Sequence, residues 1–439
     1  MSSGNIKVVD VTAEEYHHKL INRAKLVEPK MQFSQTDSSG IRSFHTMLKP
    51  SGAQCNLDCS YCFYLHKEDL FAQPKRPRMS DEILEQHIRQ YIEANTGEQV
   101  VFTWQGGEPT LMGLNFFKKV VSLQDKYQKP GQAVFNDLQT NGTLLNDQWC
   151  EFLARHHFLV GLSIDGPEEF HNRHRFTKNG NPSFHSVMKA VNLLHQHNVE
   201  FNALCVVNRD NVQFPLEVYR FIRDEVRPAI IQFIPAVEPN NFTDIAPGFW
   251  PEEAYPQVGG TGYQPGEPNS VVTDWSVPAK LWGVFLSAVW QEWSKNDFGQ
   301  VFVDQFENII SIMFGHGAQK CVNAQQCGGA VALEHNGDIF SCDHFVYPEY
   351  KLGNIANIHQ ADAVFSPQQV AFGSHKYQSL PKYCRECYFL EMCWGECPKN
   401  RLLKTPEGET GLNYLCEGMK IFYSNALNSL PVLKNRLNL

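Results

Sequence analysis

Residues Ser43–Tyr64 read SFHTMLKPSGAQCNLDCSYCFY, a short apolar run, Phe44 to Leu48, followed by three cysteines spaced Cys-x-x-x-Cys-x-x-Cys. The thiols are those of Cys55, Cys59 and Cys62. Because a [4Fe-4S] cluster is normally held by four cysteine thiolates, this spacing predicts a cluster in which one iron lacks a protein ligand. The alternatives are a zinc site short of one ligand, or thiols that are merely buried.

An iron with a free coordination position predicts a particular chemistry. It can chelate the amino and carboxylate groups of S-adenosylmethionine and pass an electron into the sulfonium, and cleavage then gives a 5′-deoxyadenosyl radical. The aromatic residues Tyr61, Phe63 and Tyr64 around the third cysteine favour this site over zinc.

Composition narrows the class of protein. The chain has 439 residues, enough for two domains, and a formal net charge of −9 with no basic run, so we expect no nucleic-acid or membrane partner. The sequence has no apolar stretch of about 18 residues and no secretory signal pattern at Met1, which predicts a cytoplasmic protein. A reducing cytosol keeps the 13 cysteines free for metal.

Six apolar runs rich in β-forming residues alternate with helix-like stretches. The runs are Phe44–Leu48, Val100–Trp104, Val134–Leu138, Phe158–Ile164, Phe201–Val207 and Ile230–Ile234. Ser80 is predicted to cap a helix with apolar residues from Ile83 to Ile92, and a second helical pattern runs from Phe184 to Leu194. The alternation predicts an α/β fold with a curved parallel sheet, whose chemistry lies at the carboxyl ends of the strands.

Two motifs follow predicted strands. In WQGGEPTL, Trp104–Leu111, the glycines would let the backbone approach a ligand and Glu108 brings a carboxylate nearby. The motif is therefore a candidate seat for the methionine amino group, although alone it most often marks a turn. The run LSIDGPEEFHNRHR contains Ser163 and Asp165 and leads to Arg175, so a hydroxyl and a guanidinium could bind the methionine carboxylate. A solvated turn is the alternative there.

The C-terminal third carries eight more cysteines. They are Cys321, Cys327, Cys342, Cys384, Cys387, Cys393, Cys397 and Cys416. Eight thiols suit two Cys₄ iron-sulfur clusters as well as two zinc ions, and local spacing does not separate these alternatives. Because the chain is already predicted to bind one iron-sulfur cluster, two further iron-sulfur clusters are favoured over two zinc ions. Cys150 and Cys205 lie in apolar patterns and are predicted to be small buried hydrophobes.

Two segments carry little pattern. Residues 240–275 are dense in Pro and Gly and are interpreted as an insertion or linker that connects two domains, with a lid over a peptide groove as the alternative. Residues 1–42 are interpreted as an N-terminal extension with one helix around Ala13 to Leu26.

A family resemblance is carried by CNLDCSYCFY, QGGEPTL, LQTNGTLL, FLVGLSIDGP and the spacing of the eight later cysteines. Together these resemble the radical SAM enzymes with a SPASM domain, and among them the anaerobic sulfatase-maturating enzymes. The resemblance covers roughly residues 44–423 apart from the 240–275 segment. It implies a partial (β/α)6 TIM-like barrel as the radical SAM core at 43–239. It also implies a cysteine-rich SPASM domain with two auxiliary iron-sulfur clusters at about 315–423, within a C-terminal region of 276–439.

The resemblance also implies roles for individual residues. The cluster that cleaves S-adenosylmethionine would be bound by Cys55, Cys59 and Cys62. S-adenosylmethionine would contact Tyr61, Gly107, Ser163, Arg175 and Val237. The first auxiliary cluster would be bound by Cys321, Cys327, Cys342 and Cys397, and the second by Cys384, Cys387, Cys393 and Cys416. Asp343 would accept a proton from the substrate, and Gln105 and Tyr64 would line the substrate side.

The reaction implied by the resemblance is oxidation of a Cys or Ser to Cα-formylglycine in the Cys/Ser-x-Pro-x-Arg motif of an unfolded or nascent sulfatase polypeptide. It would use three [4Fe-4S] clusters, S-adenosylmethionine, and a flavodoxin or ferredoxin as reductant. One alternative is another SPASM enzyme that crosslinks, epimerises or decarboxylates a ribosomal peptide. The other is a zinc-binding interaction module without enzymatic activity.

Overall fold

The structure is a computed structural model that describes residues 44–71 and 74–436. The N-terminal extension, including the helix predicted around Ala13 to Leu26, lies outside the described residues.

The described residues contain twelve strands. They are β1 (His45–Lys49), β2 (Gln99–Trp104), β3 (Ala133–Thr140), β4 (Leu159–Ser163), β5 (Phe201–Val207), β6 (Ile230–Pro235), β7 (Phe302–Val303), β8 (Ala330–Glu334), β9 (Asp338–Phe340), β10 (Lys351–Asn354), β11 (Leu403–Lys404) and β12 (Thr410–Leu412). Ten form one sheet in the order β10-β9-β8-β1-β2-β3-β4-β5-β6-β7, while β11 and β12 pair separately.

Helices connect and flank the strands. They are α1 (Lys67–Leu70), α2 (Asp81–Ala94), α3 (Leu114–Tyr127), α4 (Asp147–Arg155), α5 (Glu168–His174), α6 (Phe184–Gln196), α7 (Pro215–Phe221), α8 (Ala279–Asn296), α9 (Asp304–Met313), α10 (Gln360–Val364), α11 (Pro367–Gln378), α12 (Lys382–Arg385), α13 (Leu390–Cys393), α14 (Cys416–Asn428) and α15 (Leu430–Arg436). Within the part of the chain that the structure describes, none of these helices combines the length and the apolar character that crossing a bilayer requires.

The six predicted strands are β1 to β6, and they lie side by side in chain order as a parallel sheet. Phe201–Val207 has the predicted bounds, and the other five differ by one or two residues at one or both ends. The predicted cap of α2 is also present, because Ser80 Oγ accepts a hydrogen bond from Ile83 N–H at 3.3 Å. The parallel α/β core predicted from the sequence is thus confirmed.

The sheet extends beyond the predicted six strands. β8 pairs in parallel with β1, and β9 and β10 continue the sheet as antiparallel strands. These short strands were not predicted. Their addition places Glu334, the last residue of β8, opposite Lys49, the last residue of β1. Residues distant in sequence therefore lie together at the carboxyl ends of β1 and β8, where the cysteine loop begins.

The C-terminal helix α14 packs closely against α8. A Cβ atom at Gly283 would lie 1.9 Å from the carbonyl oxygen of Gly418, so both helices need a glycine at this crossing. Tyr414, just before α14, donates its hydroxyl hydrogen to Val277 O at 3.0 Å. These contacts hold the cysteine-rich end of the chain against the sheet domain.

Residues 240–275 run between β6 and α8, with one short 3₁₀ helix at Glu252–Ala254. Trp250 is buried in this segment. Tyr347 and Tyr350 donate their hydroxyl hydrogens to carbonyl oxygens of the segment, the former to Phe242 O at 2.5 Å. The segment is therefore docked on the residues that follow Cys342. Its interpretation as a linker between domains, and the domain boundaries themselves, stay predictions.

Candidate active site

The cysteine loop, residues 50–64, begins directly after β1, at the carboxyl ends of the parallel strands. Gly107 N–H donates to Gly52 O at 2.9 Å on one side of the loop, and Asp58 N–H donates to Phe176 O at 2.8 Å on the other. The loop is thus anchored by the two motif regions that follow β2 and β4. This explains locally why the three cysteines, the glycine pair and the segment around Arg175 come together.

Gly107 allows two loops to touch. A Cβ atom at this position would lie 2.0 Å from Gln54 O, which no side chain can accommodate. Sequence reasoning expected the glycines to admit a ligand, whereas the observed close approach is between this backbone and the cysteine loop. Contact of Gly107 with S-adenosylmethionine stays a prediction.

Glu108 is buried, and its carboxylate accepts four hydrogen bonds within the protein. Oε1 accepts from Thr110 N–H at 3.0 Å, from the Thr110 hydroxyl and from Thr140 Oγ1 at 2.7 Å, while Oε2 accepts from Asn141 N–H at 2.8 Å. Burial nevertheless raises the pKa of Glu108. This carboxylate therefore links the turn after β2 to the end of β3, and the role of the motif as a seat for the methionine amino group stays a prediction.

The thiols of the cysteine loop are partly buried. Burial raises the pKa of Cys55 to about 12, with a further contribution from the Glu108 carboxylate, and burial raises the pKa of Cys59 to about 12. Burial also raises the pKa of Cys62. Metal binding requires the thiolate and supplies the positive charge that stabilises it, so the burial that disfavours free thiolates suits a donor set for iron.

Tyr61, Asp165 and Arg175 form a buried group beside the loop. The Tyr61 hydroxyl donates to Asp165 Oδ2, and Arg175 Nε donates to the same oxygen at 2.9 Å. Asp165 Oδ1 accepts from Val206 N–H at 3.0 Å. Arg175 is therefore held through Nε, and Ser163, the last residue of β4, is also buried. A guanidinium held in place through Nε suits recognition of a carboxylate.

Val237 lies just after β6 and is buried. Its carbonyl oxygen accepts a hydrogen bond from Lys399 Nζ, which also pairs with Glu238 Oε1 at 2.6 Å. Lys399 comes from the cysteine-rich region, two residues after Cys397. The predicted S-adenosylmethionine contact at Val237 thus lies where the end of β6 meets the segment after Cys397.

Asp343 and Lys49 form an ion pair in which both residues are buried. Lys49 Nζ also lies 4.5 Å from the centroid of the Tyr64 ring, and the Tyr64 hydroxyl donates to Glu334 Oε1. Gln105 is buried nearby, and its backbone N–H donates to Leu48 O at 2.8 Å. The predicted base, Asp343, and the predicted substrate-side residues, Gln105 and Tyr64, therefore lie near the carboxyl ends of the parallel strands, as the cysteine loop does.

The eight later cysteines fall into two electrostatically coupled sets. Burial raises the pKa of Cys342, and the nearby Cys397 and Cys321 raise it further, as they do for Cys327. In the second set, burial raises the pKa of Cys384 to about 12, with contributions from Cys393 and Cys387. The members of this second set, which line one cavity together, are Cys384, Cys387, Cys393 and Cys416.

Each set supplies four thiols, the number that a Cys₄ cluster requires. Among the described residues, no three His, Cys, Asp or Glu side chains converge where one metal ion could hold them together. In a cluster each thiolate binds a different iron, so such convergence is not required. The three thiol sets fit iron-sulfur clusters in their number and kind of donor, and their assignment as ligands stays a prediction. Cys150 and Cys205 are buried, as predicted.

Sequence reasoning missed three side chains of this region, Lys49, Lys67 and Glu334. Lys49 and Glu334 had a usable signal, because each is a charged residue at the carboxyl end of a short apolar run. Lys67 had none, because its burial depends on contacts with residues far along the chain.

The chain is similar to proteins of a known family. Two family models match the chain, the Radical SAM superfamily over residues 50–222 and SPASM, an iron-sulfur cluster-binding domain, over residues 321–388. A serine-type anaerobic sulfatase-maturating enzyme of Bacteroides thetaiotaomicron is 43% identical over 403 residues, which cover 90% of this chain and 92% of that protein.

A cysteine-type anaerobic sulfatase-maturating enzyme of Clostridium perfringens is 29% identical over 394 residues, covering 89% of this chain and 98% of that protein. Among solved structures, native anSMEcpe with bound AdoMet and the Cp18Cys peptide superposes with a TM-score of 0.75 at 27% identity. That match covers 90% of this chain and 99% of the solved chain.

Proposed function

This chain belongs to the anaerobic sulfatase-maturating enzymes, radical SAM enzymes with a SPASM domain, and on that premise we propose that it oxidises a Cys or Ser side chain of a sulfatase to Cα-formylglycine. The target residue lies in the motif Cys/Ser-x-Pro-x-Arg. The enzyme uses S-adenosylmethionine with a [4Fe-4S] cluster, together with further iron-sulfur clusters bound by its SPASM domain.

One observation carries the proposal, the position of the Asp343 carboxylate. Asp343 directly follows Cys342 of the first coupled thiol set, and its ion pair reaches Lys49, at the end of the strand that leads into Cys55. Such a base would lie next to the donor set that would take up an electron and, through Lys49, near the strand that leads into the donor set that would serve radical generation. Oxidation of a side chain needs a proton acceptor at such a place.

When bound, S-adenosylmethionine and the clusters supply the radical that removes a hydrogen atom from the target Cβ and the acceptor for the second electron. Cys55, Cys59 and Cys62 would hold the cluster that serves S-adenosylmethionine. Cys321, Cys327, Cys342 and Cys397 would hold the first auxiliary cluster, and Cys384, Cys387, Cys393 and Cys416 the second.

The remaining work falls to this chain's own residues. Arg175, fixed by Asp165 through Nε at 2.9 Å, would hold the methionine carboxylate with its terminal nitrogens. Tyr61, Gly107, Ser163 and Val237 would complete that subsite. Asp343 would take the proton from the substrate hydroxyl or thiol, and the Lys49 ammonium offsets the cost of burying the carboxylate charge. Gln105 and Tyr64 would line the substrate side.

The partners follow from the reaction. The sulfatase motif would be presented by an unfolded or nascent polypeptide, since the base is buried and needs an extended segment to reach it. A flavodoxin or ferredoxin would supply the electrons, in the cytoplasm where such carriers and reduced thiols coexist.

The test is an anaerobic incubation of reconstituted enzyme with S-adenosylmethionine, reductant and a matched pair of peptides that differ only in Ser or Cys at the target position. The serine peptide is the first to examine, because the 43% identical relative is named serine-type. We expect mass analysis to find a two-electron oxidation at the target residue, with 5′-deoxyadenosine formed. An unchanged, crosslinked, epimerised or decarboxylated peptide would refute the proposal.

A further inference from the structure

Lys67, the first residue of α1, is 1% exposed. Within residues 44–71 and 74–436, its Nζ makes no hydrogen bond. Lysine is almost never fully buried unless its ammonium group is paired. A buried ammonium with three unused donor positions therefore needs a separate explanation.

The nearest stabilising contact of Lys67 is aromatic. Its Nζ lies 3.1 Å from the centroid of the Tyr347 ring. A desolvated cation–π contact recovers only part of the free energy that an ammonium loses on leaving water. Burial accordingly lowers the pKa of Lys67 to about 7, although nearby carboxylates oppose that effect. The ring alone does not satisfy this group.

The neighbouring carboxylates are engaged elsewhere. Glu238 pairs with Lys399 at 2.6 Å, Asp343 pairs with Lys49, and Glu334 accepts from the Tyr64 hydroxyl. A fourth carboxylate that acts on Lys67, that of Glu349, is exposed to solvent. None of the four accepts a hydrogen bond from Lys67.

The two buried lysines near Lys67 have partners that Lys67 lacks. Lys49 pairs with Asp343 and Lys399 pairs with Glu238, whereas Lys67 Nζ makes no hydrogen bond within the described residues. What Lys67 lacks is a hydrogen-bond acceptor.

We propose that Lys67 donates a hydrogen bond to a main-chain carbonyl oxygen of the substrate polypeptide and thereby positions the segment that carries the target residue. This inference rests on the proposed function, because it takes a polypeptide as the substrate. Lys67 lies on the Asp343 side of the site, among the carboxylates named above, whereas the residues proposed for S-adenosylmethionine surround Arg175. A peptide carbonyl is neutral, accepts strongly and is independent of side-chain sequence.

The test compares Lys67→Met with wild type, using reconstituted holoenzyme and the serine and cysteine peptides of the proposed reaction. A hydrogen bond to a charged group contributes about 1.5–3 kcal/mol, so we expect the peptide Kd, measured by fluorescence anisotropy without reductant, to rise about tenfold or more. The loss should appear in KM rather than in kcat. Lys118→Met, which removes an exposed lysine of α3, is the matched control and should change neither constant.

Protein stability supplies the second measurement. Replacing an unsatisfied buried ammonium by an apolar side chain of similar shape should leave the peptide-free Tm unchanged or raise it. A lowered Tm for Lys67→Met, or a peptide Kd within twofold of wild type, would overturn the inference. If wild-type enzyme oxidises neither peptide, the proposed function fails instead. Oxidation of the peptides by wild type together with an unaltered Kd in the variant refutes only the role of Lys67.

Discussion

Lys49 and Asp343 form a buried ion pair that joins the last residue of β1 to the residue that follows Cys342. Through this ion pair β1, which leads into the cysteine loop, contacts the segment that follows Cys342. Breaking a buried pair by removing one partner leaves an uncompensated charge, which costs about 3–5 kcal/mol. The pair is therefore both a structural tie and the immediate environment of the proposed base.

Replacing Lys49 by Met should lower the rate of formylglycine formation by at least about tenfold, because Asp343 would no longer be held as a buried carboxylate. The double variant Lys49→Met/Asp343→Asn should regain part of the lost stability without regaining activity, since no unpaired charge remains. Urea unfolding and product analysis of the two single variants and the double variant would measure this coupling. Additive stability losses would show that the two residues act independently.

Asp343→Asn should suppress formylglycine by about 10²–10⁴-fold, the usual contribution of a general base. Formation of 5′-deoxyadenosine should continue, because hydrogen-atom removal precedes proton loss. The matched control is Asp338→Asn on β9, an aspartate of the same hairpin that pairs with Lys351. Measuring 5′-deoxyadenosine and formylglycine in one anaerobic reaction shows whether the first product still forms when the second does not. Full formylglycine yield from Asp343→Asn would remove this residue from the mechanism.

Cys55→Ala should abolish both 5′-deoxyadenosine and formylglycine. Three [4Fe-4S] clusters correspond to about twelve irons, and this variant should lose about four of them while the SPASM region keeps the rest. Cys150→Ala, which alters a buried cysteine of α4 outside the three thiol sets, should retain full iron content and activity. Iron analysis of the reconstituted proteins compares the two, and an undiminished iron content in Cys55→Ala would contradict the assignment.

His87 should make folding stability sensitive to acid. Burial lowers the pKa of His87 to about 4, although its hydrogen bond to Gln360 at 3.0 Å opposes the shift. The unfolded chain takes up a proton near pH 6.5 and the folded chain only near pH 4. The stability is therefore complete above pH 6.5 and falls as the pH drops toward 4, by about 3 kcal/mol for this residue.

The pH effect can be isolated with His87→Asn, since the asparagine amide can still donate to Gln360. The difference in free energy of unfolding between wild type and His87→Asn should shrink by about 3 kcal/mol from pH 7 to pH 4. His185→Asn is the control, because His185 is exposed and should show no such trend. If the free energies of unfolding of wild type and His87→Asn differ by the same amount at pH 7 and at pH 4, His87 is not the titrating group.

The local chemistry of the site could be read from the sequence. The cysteine loop was predictable because the spacing of Cys55, Cys59 and Cys62 involves only near neighbours in the sequence. In the same way β1 to β6 were predictable from the six short apolar runs. For the same reason Ser80 was recognisable as a helix cap. The glycine pair was also recognisable, but its partner was not, because Gln54 O approaches Gly107 only after the two loops fold together.

The sequence by itself determined the thiols available as cluster ligands and the parallel core, because residue type and short-range spacing are written in the chain. The role expected of Asp343 came from the family resemblance. Only the tertiary structure decided which of them act together. It grouped Cys397 with Cys321, Cys327 and Cys342, set Lys49 against Asp343, and buried Lys67 without a hydrogen-bond partner in the described part of the chain. Those relations depend on long-range packing and on the desolvation that packing brings, and no local pattern encodes either.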